Sequence, residues 1–279
     1  NVAVGYQSLY TNTVGAANTA VGQGSLSSNT ANFNTAMGWY ALNSNTTGTP
    51  NEAFGKQALQ SNTTGYANVA VGYQAAYSTT TGNGNAVLGY QALYSNTTAS
   101  NNTAVGYQAA YSTTTGGTNV ALGNGALYTN TTSTANVMLG YQAGYTFNNT
   151  SANYGDVYIG FQAGYSTNTG YNNIFIGGRT GFSNTSGSNN TAIGATTFQS
   201  NTTGIYNTAL GYQALTANSS GGYNTALGMQ ALQSNTTASN NTAVGYQAGY
   251  SNVTGTSLSV FGDRKSTRLN SSHMSESRM

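Results

Sequence analysis

A glycine returns at the fifth place of a short unit sixteen times in succession, from Gly5 to Gly262. The unit reads close to NTAVGYQALYSNTTGxx. Units begin at Asn1, Asn18, Asn34, Asn51, Asn68, Asn85, Asn102, Asn119, Asn136, Asp156, Asn173, Asn190, Asn207, Asn224, Asn241 and Leu258. Their spacing is 17 residues, except for one unit of 16 from Asn18 and one of 20 from Asn136. Self-similarity at a fixed period is the signature of a repeat architecture. A helical-hairpin repeat needs over about 30 residues per unit, so this chain is expected to be a β-solenoid. Each unit would be one coil, with one strand ending at the glycine and a second over the Q-A-L-Y stretch. The expected fold is all-β, a parallel solenoid of about fifteen 17-residue coils over residues 1–262.

The columns of the repeat carry physical meaning. A glycine as strict as Gly5, Gly72, Gly89, Gly106, Gly123, Gly140, Gly211 and Gly245 marks backbone that needs positive φ or close approach. Position 4 is apolar in every unit, as at Val71, Leu88, Val105 and Leu122. Position 3 is mostly Ala, and position 8 is Ala, Ser or Thr. The position-4 ladder, with the small third and eighth residues, is expected to fill a narrow core. Asn at position 1 is expected to form a ladder of amide bonds along the stack. The N-T-T-G ends of the units read as turns.

Composition narrows what such a stack can do. Charged residues are 4% of the chain, and there is no cysteine. The absence of cysteine excludes disulfides, thiolate metal sites and cysteine nucleophiles. The segment 263–279, DRKSTRLNSSHMSESRM, breaks sharply with the repeat and resembles a translated sequencing adapter. It is read as an unstructured, adapter-derived tail and set aside from the fold. The chain opens inside a repeat at Asn1, so it is read as a piece of something longer. Residues 1–262 then keep only Glu52, Lys56, Asp156 and Arg179 as charges. Their balance of zero removes the electrostatic case for nucleic acid or for an anionic membrane. No apolar run approaches the roughly 20 residues of a spanning helix.

The sole histidine, His273, lies in the tail. Without it a Ser-His-Asp triad or a His metal site cannot be built in the repeats. No cofactor, no metal and no enzymatic activity are expected. Candidate contact residues are therefore surface residues. Tyr90, Tyr107 and Tyr141 belong to a Tyr column at position 6 that could stack on sugars or form a packing ladder. A second Tyr column stands at position 10, and Gln recurs at position 7, where amide ladders are the plain reading. Arg179 breaks the Gln column. The 20-residue unit suggests an outer loop over residues 147–154, with Phe147 and Tyr154 as contact candidates.

The N-T-A-V-G core, at Asn102–Gly106 and Asn241–Gly245, resembles the head repeats of YadA-like trimeric autotransporter adhesins. The resemblance covers residues 1–262. It implies a left-handed parallel β-roll, a homotrimer, and an extracellular place on a bacterial surface. It also implies multivalent attachment to matrix protein, glycan or other surfaces. The unit here is longer than the usual adhesin unit. Similar NTAVGYQA units also resemble phage-like tail fibres, so the shaft of such a fibre, on a virion, is the alternative. Two further readings are an ice-binding solenoid, from Thr pairs such as Thr46-Thr47 and Thr63-Thr64, and a disordered polar tract, from the Asn, Gln and Tyr content.

Overall fold

A computed structural model describes residues 1–149 and 155–263. The chain is an all-β parallel solenoid, with sixteen strands and no helix among the described residues. It divides into two compact units, Asn1–Gln142 and, beginning at Ala143, the remainder from residue 155 onward with the short segment Ala143–Asn149.

In the first unit nine short strands follow one another, from β1 (Val2–Val4) to β9 (Val137–Leu139). Each pairs in parallel with the next, one coil on, as in Thr103↔Val120, Ala104↔Ala121 and Val105↔Leu122. In the second unit β10 (Val157–Ile159) to β16 (Ser259–Phe261) pair in the same way. The register follows the repeat without slippage. The 16-residue unit is accommodated too, with Thr19 paired to Thr35 and Ala20 to Ala36.

Only one strand forms per coil, which corrects the expectation of two. The Q-A-L-Y stretch makes successive tight turns. Positions 7 and 9 adopt the left-handed region, as at Gln108 (φ 52°) and Ala110 (φ 52°), or Gln57 (φ 61°) and Leu59 (φ 50°). Such backbone cannot continue a strand. Two reverse turns result, closed by Ala109 N–H to Gly106 O (3.4 Å) and Thr113 N–H to Ala110 O (3.1 Å). Position 17 is left-handed as well, for example Thr118 (φ 58°) and Ala135 (φ 61°). Left-handed backbone costs an L-residue roughly 1–2 kcal/mol. The stack holds it because the neighbouring coils take up its polar groups. Ala110 N–H donates to Ala126 O (2.9 Å), Gln108 N–H to Tyr90 O (2.9 Å), and Thr118 N–H to Ser100 O (3.0 Å).

The position-5 glycines behave as the sequence requires. Their φ runs from +112° at Gly262 to +147° at Gly38, a region open to glycine. A Cβ on Gly106 would stand 2.6 Å from Gly123 O in the next coil. Positive φ and close approach therefore act together.

The core is not where the apolar columns suggested. Val71 and Val105 are half-buried, while Leu88 is 50% and Leu122 43% exposed. Strand side chains alternate sides. With Ala104 and Ala121 fully buried at position 3, the position-4 side chain must point out. The core keeps the expected positions 3 and 8, such as Ala53 and Ala58, and takes position 9, such as Leu59, in place of position 4. Each fully buried Leu contributes on the order of 1.5–3 kcal/mol.

Two asparagine columns complete the interior. Position 1 is buried in every full coil after the first, occupied by Asn or, at residue 156, Asp, while Asn1 at the open end of the stack is exposed. Asn68 shows its role: its Nδ2 donates to Gly82 O (2.8 Å), tying the start of the coil to its end, and to Asn51 Oδ1 (3.1 Å) below. Its Oδ1 accepts the backbone N–H of Asn85 (3.0 Å) above. The second column, at position 12, opens the turn-like N-T-T-G stretch and is more than a turn. Asn62 is fully buried and donates to Asn45 Oδ1 (2.7 Å) and to Gly65 O (2.9 Å). These bonds satisfy polar groups that burial would otherwise penalise by about 1–3 kcal/mol each.

Candidate functional site

The outward columns at positions 2, 4, 6, 7 and 10 are what this molecule offers to a partner. In the first unit the position-4 face is apolar, with an aliphatic run through Val71, Leu88, Val105 and Leu122. Beside it Tyr73, Tyr90 and Tyr107 stack at centroid distances of 5.0 and 5.2 Å, tilted by 15° or less. Tyr90, Tyr107 and Tyr141 are all exposed. At position 10, Tyr77, Tyr94, Tyr111 and Tyr128 form a second stack at 5.1–5.2 Å, with rings within 9° of parallel. In the second unit Tyr145, Tyr165 and Phe182 continue the same pattern at 5.3 and 5.2 Å.

Stacking changes what these rings can do. An interior ring has both faces covered by its neighbours, so its rim and phenol oxygen are what it presents. Face-on stacking of a sugar, one of the expected roles, is therefore open only at the end of a stack. In the first unit such an end is taken: the Lys56 ammonium sits 5.6 Å from the Tyr73 ring and 4.7 Å from the Trp39 ring. An exposed cation–π contact of this kind contributes about 0.5–1 kcal/mol. Burial, and then the neighbouring phenols, raise the Tyr94 and Tyr111 pKa above the usual value, so both phenols are protonated at neutral pH.

The Gln column forms the amide ladder expected of it. Gln74 donates to Gln57 (3.0 Å), Gln91 to Gln74 (2.9 Å) and Gln108 to Gln91 (3.0 Å). Arg179, which breaks this column, is exposed, keeps the left-handed backbone of position 7 (φ 56°), and lies 4.9 Å over the Phe182 ring. The Thr pairs are partly committed: position-13 hydroxyls donate to the next coil, as in Thr63 to Thr80 O (3.1 Å) and Thr80 to Thr97 O (3.0 Å).

Phe147 is not a surface contact. It is fully buried at position 12, in the Asn column, edge-on to Tyr158 at 6.0 Å. Regular pairing persists through Asn148, whose N–H donates to Asn168 O (3.1 Å), so the inserted residues of the long unit come after it. Tyr154 lies outside the described residues, as does the tail from 264 onward.

One charge, Asp156, enters the sequence pattern only through the balance of charges, yet it is buried. Asp156 occupies an Asn place in the position-1 column. Its Oδ1 accepts the Asn173 N–H (2.8 Å) and the Tyr158 hydroxyl (3.0 Å). Burial pushes its pKa up to about 7, against the lowering effect of these bonds. Tyr158, wholly buried, is held far above the ordinary phenol value by that burial and by the carboxylate. Among the described residues no three His, Cys, Asp or Glu side chains gather where a metal could be held, and no helix is long and apolar enough to cross a membrane. The chain matches no protein-family description, no curated protein and no solved structure.

Proposed function

We propose that this chain is a structural and adhesive segment of a surface-exposed fibre, self-associated as a homotrimer and attaching by many equal, weak contacts to matrix protein or glycan. The observation that carries this reading is the outward apolar column at position 4, present in every described coil, with runs of Tyr and Gln ladders beside it. Exposed apolar area this continuous is uncommon on a monomer and marks an interaction face. A copy of the same chain has the same period along its axis, so one favourable contact recurs in each coil. The near absence of charge fits a face that is covered by association rather than kept apart by repulsion. The resemblance to YadA-like heads supports the same arrangement. Repetition then provides avidity, since many weak sites on one scaffold act at high effective concentration.

Sedimentation equilibrium on the whole chain tests the oligomer. A trimer at micromolar concentration, lost in a Leu88→Glu/Leu122→Glu variant that keeps its far-ultraviolet spectrum, is the expected result. A stable wild-type monomer would overturn the trimeric reading. Adhesion is tested by binding of the wild-type trimer to immobilised matrix proteins and glycans, and saturable binding to none of them would remove the adhesive role.

A further inference from the structure

The position-10 tyrosines have a chemistry that the attachment reading does not use. Tyr77, Tyr94, Tyr111 and Tyr128 each stand one coil from the next, at centroid distances of 5.1–5.2 Å and within 9° of parallel. None is fully buried, so the phenol rims can be reached from solvent. Each pair is held in place by the backbone of its own coils: Ser95 N–H donates to Tyr111 O (3.0 Å) and Ser112 N–H to Tyr128 O (3.0 Å). The encounter between two such rings is thus already made by the fold. The chain has no cysteine, so no disulfide can tie one coil to another.

We propose that this ladder is a site of oxidative cross-linking, in which dityrosine bonds join successive coils at Tyr77–Tyr94, Tyr94–Tyr111 and Tyr111–Tyr128. The co-reactant is a peroxide, acting through a one-electron oxidant of the peroxidase class. Each of two phenols gives up one electron and its hydroxyl proton to become a phenoxyl radical. The two radicals pair through ring carbons ortho to the oxygens, forming one C–C bond. The hydrogens on those carbons then move to the oxygens and restore two phenols. Each link therefore costs the chain two hydrogens, and the two electrons and two protons reduce one peroxide to two waters. A stacked partner gives the first radical a neighbour at once, so coupling within the ladder outruns coupling between molecules in dilute solution. The product is a covalent staple across a coil boundary. Because a solenoid is stabilised chiefly by contacts between neighbouring repeats, such a staple resists the separation of coils.

The test treats the dilute whole chain with peroxidase and hydrogen peroxide, then maps cross-linked peptides by mass spectrometry. The expected links join residues 17 apart within the ladder, each with a loss of two hydrogens, and Tm rises. Tyr66, 53% exposed and outside any stack, serves as the internal reference and should link little. In Tyr94→Phe, which keeps the stacked ring, the two links at residue 94 should vanish while Tyr111–Tyr128 persists. In urea the preference for 17-residue spacing should disappear. Links distributed by exposure alone, with Tyr66 coupling as readily as Tyr111, would overturn the proposal, and so would links formed only between molecules. The result does not depend on whether the chain attaches to a surface, since both radicals come from one chain.

Discussion

The coils of the first unit and those opening at Asp156 and Asn173 solve the same packing problem in opposite ways. In most coils of the first unit a small residue at position 3 goes with a larger one at position 9, as Ala36 with Leu42, Ala53 with Leu59 and Ala121 with Leu127, while the coils from Asn68 and Asn102 have Ala at both places. In the second, Tyr158 and Phe175 fill the core from position 3, and position 9 is Gly164 and Gly181. A Cβ on Gly181 would meet Phe175 Cδ2 at 2.5 Å, and one on Gly164 would meet the Tyr158 ring. The coil from Asn190 returns to Ala192 and puts the aromatic ring at position 9, as Phe198. Tyr158 and Phe175 stack at 5.0 Å, and Phe175 meets Phe198 at 6.3 Å. Two residues six apart thus share one volume, and interiors at native density tolerate exchange when total volume is kept. The regular core depends on aliphatic side chains and the other on rings, yet the backbone register is the same in both.

The largest effect that could break this comparison is on the backbone both regions share. Gly106→Val puts a branched side chain at φ 134° against Gly123 O. It should cost more than about 4 kcal/mol, the range of exceptional substitutions. Denaturant unfolding with hydrogen exchange resolved by coil would read it, and unchanged stability would contradict the register.

Volume sharing is tested next. Phe175→Ala should cost about 3–5 kcal/mol through the cavity it leaves, and Gly181→Leu should cost at least about 1–3 kcal/mol by overpacking. The double variant rebuilds the Ala/Leu pair of the first unit. It should be less destabilised than the sum of the single changes by about 1–3 kcal/mol in a double-mutant cycle. Strict additivity would show that positions 3 and 9 do not share space.

Asp156 separates the two regions by pH. Its folded pKa, raised by burial to about 7 from an ordinary value of 3.8, means that the folded form holds a proton the unfolded chain has lost between those values. Stability from this group is complete below pH 3.8 and falls as pH rises toward about 7, by a few kcal/mol in all. Asp156→Asn, which restores the column, should flatten the pH dependence of unfolding in the second unit and leave the first unchanged. An equally steep profile in the variant would place the titrating group elsewhere.

The smallest effect concerns the inside and outside of a strand. Leu93→Ala, in the core, should cost about 2–5 kcal/mol, whereas Val105→Thr should change the intrinsic stability of a coil by no more than about 0.5 kcal/mol. Thermal unfolding at matched, dilute concentration compares them. Near-equal losses would return position 4 to the core.

Much of this was legible in the residues. The glycine column, the length of the coil, the parallel register and the position-1 Asn ladder all follow from a strict repeat, because identical units must stack identically. Positions 3 and 8 of the core were legible, but the outward place of position 4 was not, since apolar residues occupy both faces of the strand at positions 2, 3 and 4. Small Ala104 looked like filler and large Val105 like core, although strand alternation permits only one of the two to point inward. The tight turns at Gln108 and Ala110 carried little local signal either. Neither residue type favours left-handed backbone, which is held by hydrogen bonds to the neighbouring coils, from Gln108 N–H to the coil before and from Ala110 N–H to the coil after. Gly164 and Gly181 at the same place were the available clue, and they also encode the aromatic core. Phe147 resembled a loop residue because it stands where the turn-like end of the unit begins, yet it replaces a buried Asn.

The central claim is that residues one coil apart stand side by side, with position 4 facing outward. Nitroxide labels on a Val105→Cys/Leu122→Cys variant test both halves, since these residues are register partners. With strands ~5 Å apart, the electron paramagnetic resonance spectrum of the dilute, monomeric protein should be broadened by spin exchange, with a Tm little changed from that of the unlabelled monomer because the labels project from the surface. A folded protein with a sharp, unbroadened spectrum, or a protein that the labels unfold, would contradict the account.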